Sequence, residues 1–149
     1  MEARLKPGLF FYDEKFSKMK SMSQISENLD KLFKEIAKIA AEWNRGDEGV
    51  QLVAVSKKQP DERIEQALET GHRLFGENRV QEAQKRWTGR KENYPDLTLH
   101  LIGPLQTNKV KDAVALFDVI ETIDRPKLAR KLAKEMETQD RHLPCFIQV

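Results

Sequence analysis

The chain has 149 residues, 34% charged and 39% hydrophobic, with 26 Lys and Arg against 24 Asp and Glu. That balance suits one globular domain with a real core and excludes a disordered chain. The net charge of +2 is spread over interleaved lysines and glutamates, so no block of like charge forms a nucleic-acid tract. No apolar stretch approaches the length of a membrane span. Cys145 is the only cysteine, which excludes an internal disulfide and a cysteine-based metal site and suits a reducing compartment. Flanked by Phe146 and Ile147, it reads as a small core residue. Lys15, Lys18 and Lys20 interrupt everything after Phe10-Phe11, so a signal-peptide core is lacking and the expected location is cytoplasmic.

Residues 1–21 show no period and read as an N-terminal extension, with Met22 available as an internal start. From Ser23 the pattern becomes helical. Ile25, Leu29, Leu32, Phe33, Ile36, Ala40 and Trp43 share one stripe, Ser23 can cap it, Gly46 follows its end, and Trp43 reads as its packing anchor. Leu52-Val53-Ala54-Val55-Ser56-Lys57 is the first strand. Pro60 then opens a helix with Asp61 and Glu62 in its first turn, a buried stripe of Ile64, Ala67 and Leu68, and Gly71 as its stop.

The second strand is Leu74–Asn78. Val80, Ala83 and Trp87 mark a helix expected to stop near Gly89, and Asn93, Pro95 and Asp96 make a turn. Leu97–Ile102 is the third strand, ending in Gly103-Pro104. Thr107 or Asn108 is expected to cap a short helix through Val110, Val114 and Ala115. Asp118–Glu121 is the fourth strand. Asp124 is expected to cap, and Pro126 to open, a helix with the stripe Leu128, Leu132 and Met136. Cys145–Val149 reads as a fifth strand.

Strict alternation of strands and helices predicts an α/β fold with five parallel strands after an N-terminal helix. An open doubly wound sheet and part of a (β/α)₈ TIM-type barrel both fit. Neither a dinucleotide-binding G-x-G-x-x-G nor a P-loop follows the first strand. Polar residues at successive strand ends suit the barrel, which gathers its sites at that face. By strand parity Val53, Val55 and Lys57 point one way, and Leu52, Ala54 and Lys58 the other, which turns Lys57 inward over the barrel mouth. A lysine at a strand end is a candidate for carbonyl chemistry, because its amine forms Schiff bases once deprotonated, and partial burial there would favour the neutral form.

Several stretches in order resemble one family. They are Ala54-Val55-Ser56-Lys57, Phe75-Gly76-Glu77-Asn78-Arg79-Val80-Gln81-Glu82, His100-Leu101-Ile102-Gly103-Pro104-Leu105-Gln106-Thr107-Asn108-Lys109, Glu121-Thr122-Ile123-Asp124-Arg125 and Ile147-Gln148-Val149. From about Met22 onward the chain is similar to the pyridoxal phosphate homeostasis proteins (the YggS/PROSC family). The resemblance implies a fold like the N-terminal barrel domain of alanine racemase, here its first five strands, with residues 22–149 as the N-terminal part of a pyridoxal 5′-phosphate-binding barrel.

It implies that Lys57 holds the cofactor as an aldimine, with Asn78 as a polar neighbour and Ile102 as an apolar wall. It also implies a role in vitamin B6 homeostasis without clear catalysis. A complete member would continue through three more strands carrying a Ser/Gly-rich phosphate-binding segment and an arginine facing the ring nitrogen. The expectations that follow are a truncated member, reduced cofactor affinity and self-association through an open sheet edge. The alternatives are a pyridoxal phosphate-dependent amino-acid racemase or an inactive barrel fragment. Two-base racemisation needs a second proton donor on the opposite ring face, and neither Tyr12 nor Tyr94 sits in a matching motif.

Other polar residues read more simply. Glu77 fits either an acid/base role or a strand-end carboxylate bonded to nearby amides or a lysine, and His100 reads as a satisfied core histidine. His72 and His142 fall in turn-like positions without metal-ligand spacing. Asn108-Lys109 reads as helix capping and Lys127, Arg130, Lys131 and Lys134 as a solvated helix face. No catalytic or metal-ligating residue is assigned.

Overall fold

The structure is a computed structural model and describes residues 23–45 and 50–149. The expected extension over residues 1–21, Met22, Tyr12 and the Gly46 helix stop lie outside the described residues. The element order is α1 (Gln24–Glu42), β1 (Ala54–Val55), α2 (Asp61–Glu69), β2 (Leu74–Glu77), α3 (Val80–Asn93), β3 (Thr98–Leu101), α4 (Val110–Leu116), β4 (Val119–Ile123), α5 (Pro126–Gln139) and β5 (Cys145–Ile147). All four strand pairings are parallel, and the sheet order is β1-β2-β3-β4-β5. Strand order that follows chain order, without a reversal, is singly wound. A doubly wound sheet would change direction at a switch point. The architecture is therefore a partial (β/α)₈ barrel: five parallel strands with an N-terminal helix.

The two faces of the sheet differ. Register pairs Phe75 with Leu99 and Leu101 with Ile120, and these four side chains are buried under the helices with Leu68, Trp87, Val114, Leu128 and Leu132. The Trp87 and Phe75 rings lie 4.7 Å apart. The opposite face carries Val53, Gly76, His100, Ile102 and Val119. A β-carbon added at Gly76 would meet Val53 Cγ1 at 3.1 Å and Ile102 Cδ1 at 3.2 Å, so strand parity holds through Val53.

Ser23 caps α1 as expected, its hydroxyl accepting from the Ser26 amide at 3.3 Å. Of the α1 stripe, Ala40 is buried and Ile25 and Leu29 pack at the core's margin. Trp43 is 77% exposed, which overturns its expected role as an anchor. Helix α1 packs on α2, and Trp43 lies beyond its last turn. The α2 stripe is buried as read, and Gly71 leaves that helix at φ +87°, a backbone conformation that costs glycine nothing.

Several element ends and one burial differ from expectation. Helix α3 passes through Gly89 to Asn93, because a glycine on the solvent side of a helix lowers its propensity without stopping it. Thr107 and Asn108 do not cap α4. They lie in a 3₁₀ turn, Thr107–Lys109, that leads into it. Asp124 does not cap α5; Arg125 holds that position, with Pro126 at the first turn, and the Asp124 carboxylate pairs with the Arg125 guanidinium. Cys145 is exposed because β5 is an edge strand with all three residues exposed. Among the described residues no helix is long and apolar enough to cross a membrane.

His72 lies in the connection between α2 and β2, as expected, and is buried there. Its Nε2 lies 2.7 Å from the Leu74 carbonyl oxygen, and its ring stands edge-on to Phe75 at 5.2 Å. Burial lowers its pKa, aided by the Arg73 charge and opposed by the Leu74 contact. With the folded pKa below the unfolded value of about 6.5, the unfolded chain binds more protons as pH falls through that range, so His72 costs stability on acidification. His72→Asn should give a shallower loss of melting temperature between about pH 6.5 and 5.5 than the parent, and equal slopes would refute the assignment. At Gly89 an added β-carbon meets nothing within 4 Å. Gly89→Ala should therefore raise stability by about 0.4–1 kcal/mol in urea unfolding.

Candidate functional site

Parallel strands deliver their C-terminal ends to one edge of the sheet. Beyond the β1 ladder the Ser56 amide donates to the Gly76 carbonyl at 3.0 Å, and beyond β3 the Ile102 amide donates to Glu77 at 2.9 Å. Lys57, Asn78 and Ile102 thus leave three adjacent strands at the same edge. Asn78 and Ile102 are half-buried, while Lys57 is exposed, against the expected partial burial. The chain turns directly after Ser56: the Gln59 amide closes back on the Ser56 carbonyl at 3.1 Å, and Lys58 adopts φ +58°. Lys57 sits in this turn, beyond the ladder. Among the described residues neither its amine nor the Asn78 side-chain amide has a polar partner.

Behind this edge, on the helix side, lies Glu77. It is fully buried. Its Oε1 accepts from Ser56 Oγ at 2.8 Å, Arg86 Nη1 at 3.0 Å and Trp87 Nε1 at 3.1 Å. Its Oε2 is buried without a hydrogen-bond partner among the described residues. A carboxylate so enclosed binds structure together, which favours the bonded-carboxylate alternative over an acid/base role, with an arginine, a serine and an indole in place of the expected amides or lysine. Arg86 also donates to the backbone, Nη1 to Ser56 at 2.9 Å and Nη2 to Gln59 at 3.1 Å, and its Nε lies 3.2 Å from Asp61. Arg90 meets Glu65 at 2.7 Å.

Sequence reasoning missed Arg86. The available signal was complementary spacing, Asp61 and Glu65 on α2 against Arg86 and Arg90 on α3, each pair four residues apart and so on one helix face.

A second joint ties the ends of β2, β3 and β4. A β-carbon at Gly103 would fall 2.3 Å from the Asn78 carbonyl oxygen, so only glycine lets the two backbones approach. Thr122 Oγ1 donates to the Gly103 carbonyl at 2.6 Å, and Arg125 Nη2 to that of Leu105 at 2.7 Å. On the inner face His100 Nδ1 lies 2.6 Å from Glu121 Oε1, so the histidine is buried and satisfied as expected. An open groove of about 280 Å³ runs between α1, α2 and β1, but none of Lys57, Asn78 and Ile102 lines it. Among the described residues no group of three or more His, Cys, Asp or Glu could hold a metal ion.

The chain is similar to known proteins over most of its length. A protein of Vibrio alginolyticus named pyridoxal phosphate homeostasis protein is 38% identical over 130 residues, which are 86% of this chain and 56% of the relative. One of the same name from Escherichia coli K12 is 36% identical over 129 residues, 86% of this chain and 55% of the relative. Among solved structures, PipY of Synechococcus elongatus PCC7942 with PLP bound is 38% identical with a TM-score of 0.69, over 82% of this chain and 52% of PipY. This chain spans about half the length of these relatives. Residues 28–149 match the family described as alanine racemase, N-terminal domain, and the chain belongs to that family.

Proposed function

We propose that this chain binds pyridoxal 5′-phosphate in vitamin B6 homeostasis, in a cytoplasmic setting, with Lys57 as the covalent anchor, Asn78 as a polar neighbour and Ile102 as an apolar wall. One observation carries the reading: an exposed amine, an unpartnered amide and a half-buried apolar side chain leave adjacent strands at a single edge. These residues fit an aromatic aldehyde, which needs a nucleophilic amine, an apolar flank and a fixed polar group. When bound, the cofactor supplies an electrophilic aldehyde and a conjugated ring that accepts negative charge. The 38% identity to a protein solved with PLP bound supports the same ligand.

The chain's own part is to anchor and orient. Lys57 Nζ would hold the cofactor through its aldehyde, with Asn78 and Ile102 beside it. An exposed anchor stays open to water and to a competing amine, which suits a carrier better than an enzyme that must exclude water. Tyr94 gives racemisation no support, since it stacks under Arg73 at 4.7 Å in the α3–β3 connection, at the opposite edge of the sheet. Mixing the chain with pyridoxal phosphate should produce a visible absorbance band that borohydride fixes as added mass on the peptide containing Lys57. Lys57→Ala should lose both, and retention of the band by that variant would overturn the proposal.

Self-association belongs to the same proposal, through the sheet edges: Val55 on β1 is 46% and Ile147 on β5 79% exposed. Unpaired strand edges recruit other strands. Light scattering over a dilution series should show dimers at high concentration that Ile147→Lys abolishes, whereas a monomer throughout would sink the idea.

A further inference from the structure

The turn that carries Lys57 is an unusual one to find unsupported. Its third residue, Lys58, has φ +58°, a place that turns normally give to glycine or asparagine. Such a conformation persists where the surroundings over-determine it. One side chain reaches both ends of this turn: Arg86 on α3 donates Nη1 to the Ser56 carbonyl and Nη2 to that of Gln59, at 2.9 and 3.1 Å. The fork is itself fixed from behind, with Nη1 also 3.0 Å from the buried Glu77 Oε1 and Nε 3.2 Å from Asp61. Ser56 is held a second time through its hydroxyl, 2.8 Å from Glu77. The guanidinium is planar and its donors stand at set angles, so a turn gripped at its first and last carbonyls has little freedom between them. Lys57 and Lys58 are the two residues in between.

We propose that Arg86 is a positioning residue for Lys57: its guanidinium clamps the Ser56–Gln59 turn and thereby fixes where the lysine amine leaves the sheet edge. This rests on the assignment of Lys57 as the cofactor's anchor. A merely structural role, tying α3 to β1, would affect global stability alone. A clamp predicts local consequences that follow the fork's geometry.

Arg86→Lys keeps a cation beside Glu77 but cannot span both carbonyls. In the cofactor-free protein, hydrogen exchange at the Gln59 amide, which bonds the Ser56 carbonyl at 3.1 Å, should then speed up about tenfold, the factor expected for one lost net hydrogen bond. Exchange in the β3–β4 ladder should stay unchanged. The rate at which pyridoxal phosphate becomes borohydride-fixed on Lys57 should fall by a similar factor. Adding Lys58→Asn, which tolerates the left-handed conformation, should restore part of both. A folded Arg86→Lys protein with parental exchange and parental rate overturns the proposal, and so does loss of rate without faster exchange in the turn. If Arg86→Lys does not fold, the parent decides: its Gln59 amide must be protected as strongly as that of Ile102, and protection no better than that of an exposed turn overturns the clamp. If the parent never acquires cofactor mass on Lys57, the function proposed above fails, while the exchange comparison still judges the clamp.

Discussion

The buried Glu77 carboxylate is the constraint on which the strand-end geometry depends. An ion removed from water costs several kcal/mol unless charge and hydrogen bonds compensate, and Glu77 is 0% exposed. Its compensation comes from three side chains at once, Ser56 after β1 and Arg86 and Trp87 on α3. None of these can shift without leaving the charge short of a partner. The indole bond has a second effect, since it fixes the ring that fills the core against Phe75 at 4.7 Å. One carboxylate therefore sets both the helix-to-sheet packing and the level at which β1 ends. Asp61, shared between Arg86 and Arg90, extends the same arrangement to the start of α2.

The rim has a second joint of a different kind, made by proximity instead of charge. Gly103 lies against the Asn78 backbone, and Thr122 holds the Gly103 carbonyl from β4. Between the two joints, the Lys57 and Asn78 side chains proposed to meet the cofactor have no polar partners among the described residues. Their placement comes from backbone, and the side chains that fix that backbone face away from the site. This is the division a binding edge needs, with free functional groups on fixed supports.

Much of the fold could be read from residue pattern. The stripes Ile64, Ala67, Leu68 and Leu128, Leu132, Met136 are buried as periodicity predicts, because a helix on a sheet has one face to cover. Parity along β1 also held through Val53. The failures share a cause: pattern reports what a side chain could bury, not what lies beside it. Trp43 and Cys145 look like core residues, yet the sheet's margin offers them little cover, and both are exposed. The choice between a doubly wound sheet and a barrel sector needed strand order, which local sequence does not encode. Arg86 was illegible for the opposite reason. A basic residue on an amphipathic helix reads as solvated, and only the spacing of its acidic partners on α2 distinguished it.

The inner face explains why a buried histidine so near the rim stays structural. Ile102 lies two residues beyond His100 on β3 and so stands between it and the strand ends on the same face. Gly76, with no side chain, lets Ile102 and Val53 close over the space a β-carbon would occupy, at 3.1 to 3.3 Å. The His100–Glu121 contact at 2.6 Å then sits beneath an apolar floor. Lys57 and Asn78 lie beyond that floor, at the strand ends. Proton transfer needs hydrogen-bond reach or a bridging water, and neither Lys57 nor Asn78 hydrogen-bonds this pair. The face is therefore layered, with Lys57 and Asn78 at the rim, hydrocarbon below them and the His100–Glu121 contact at the bottom.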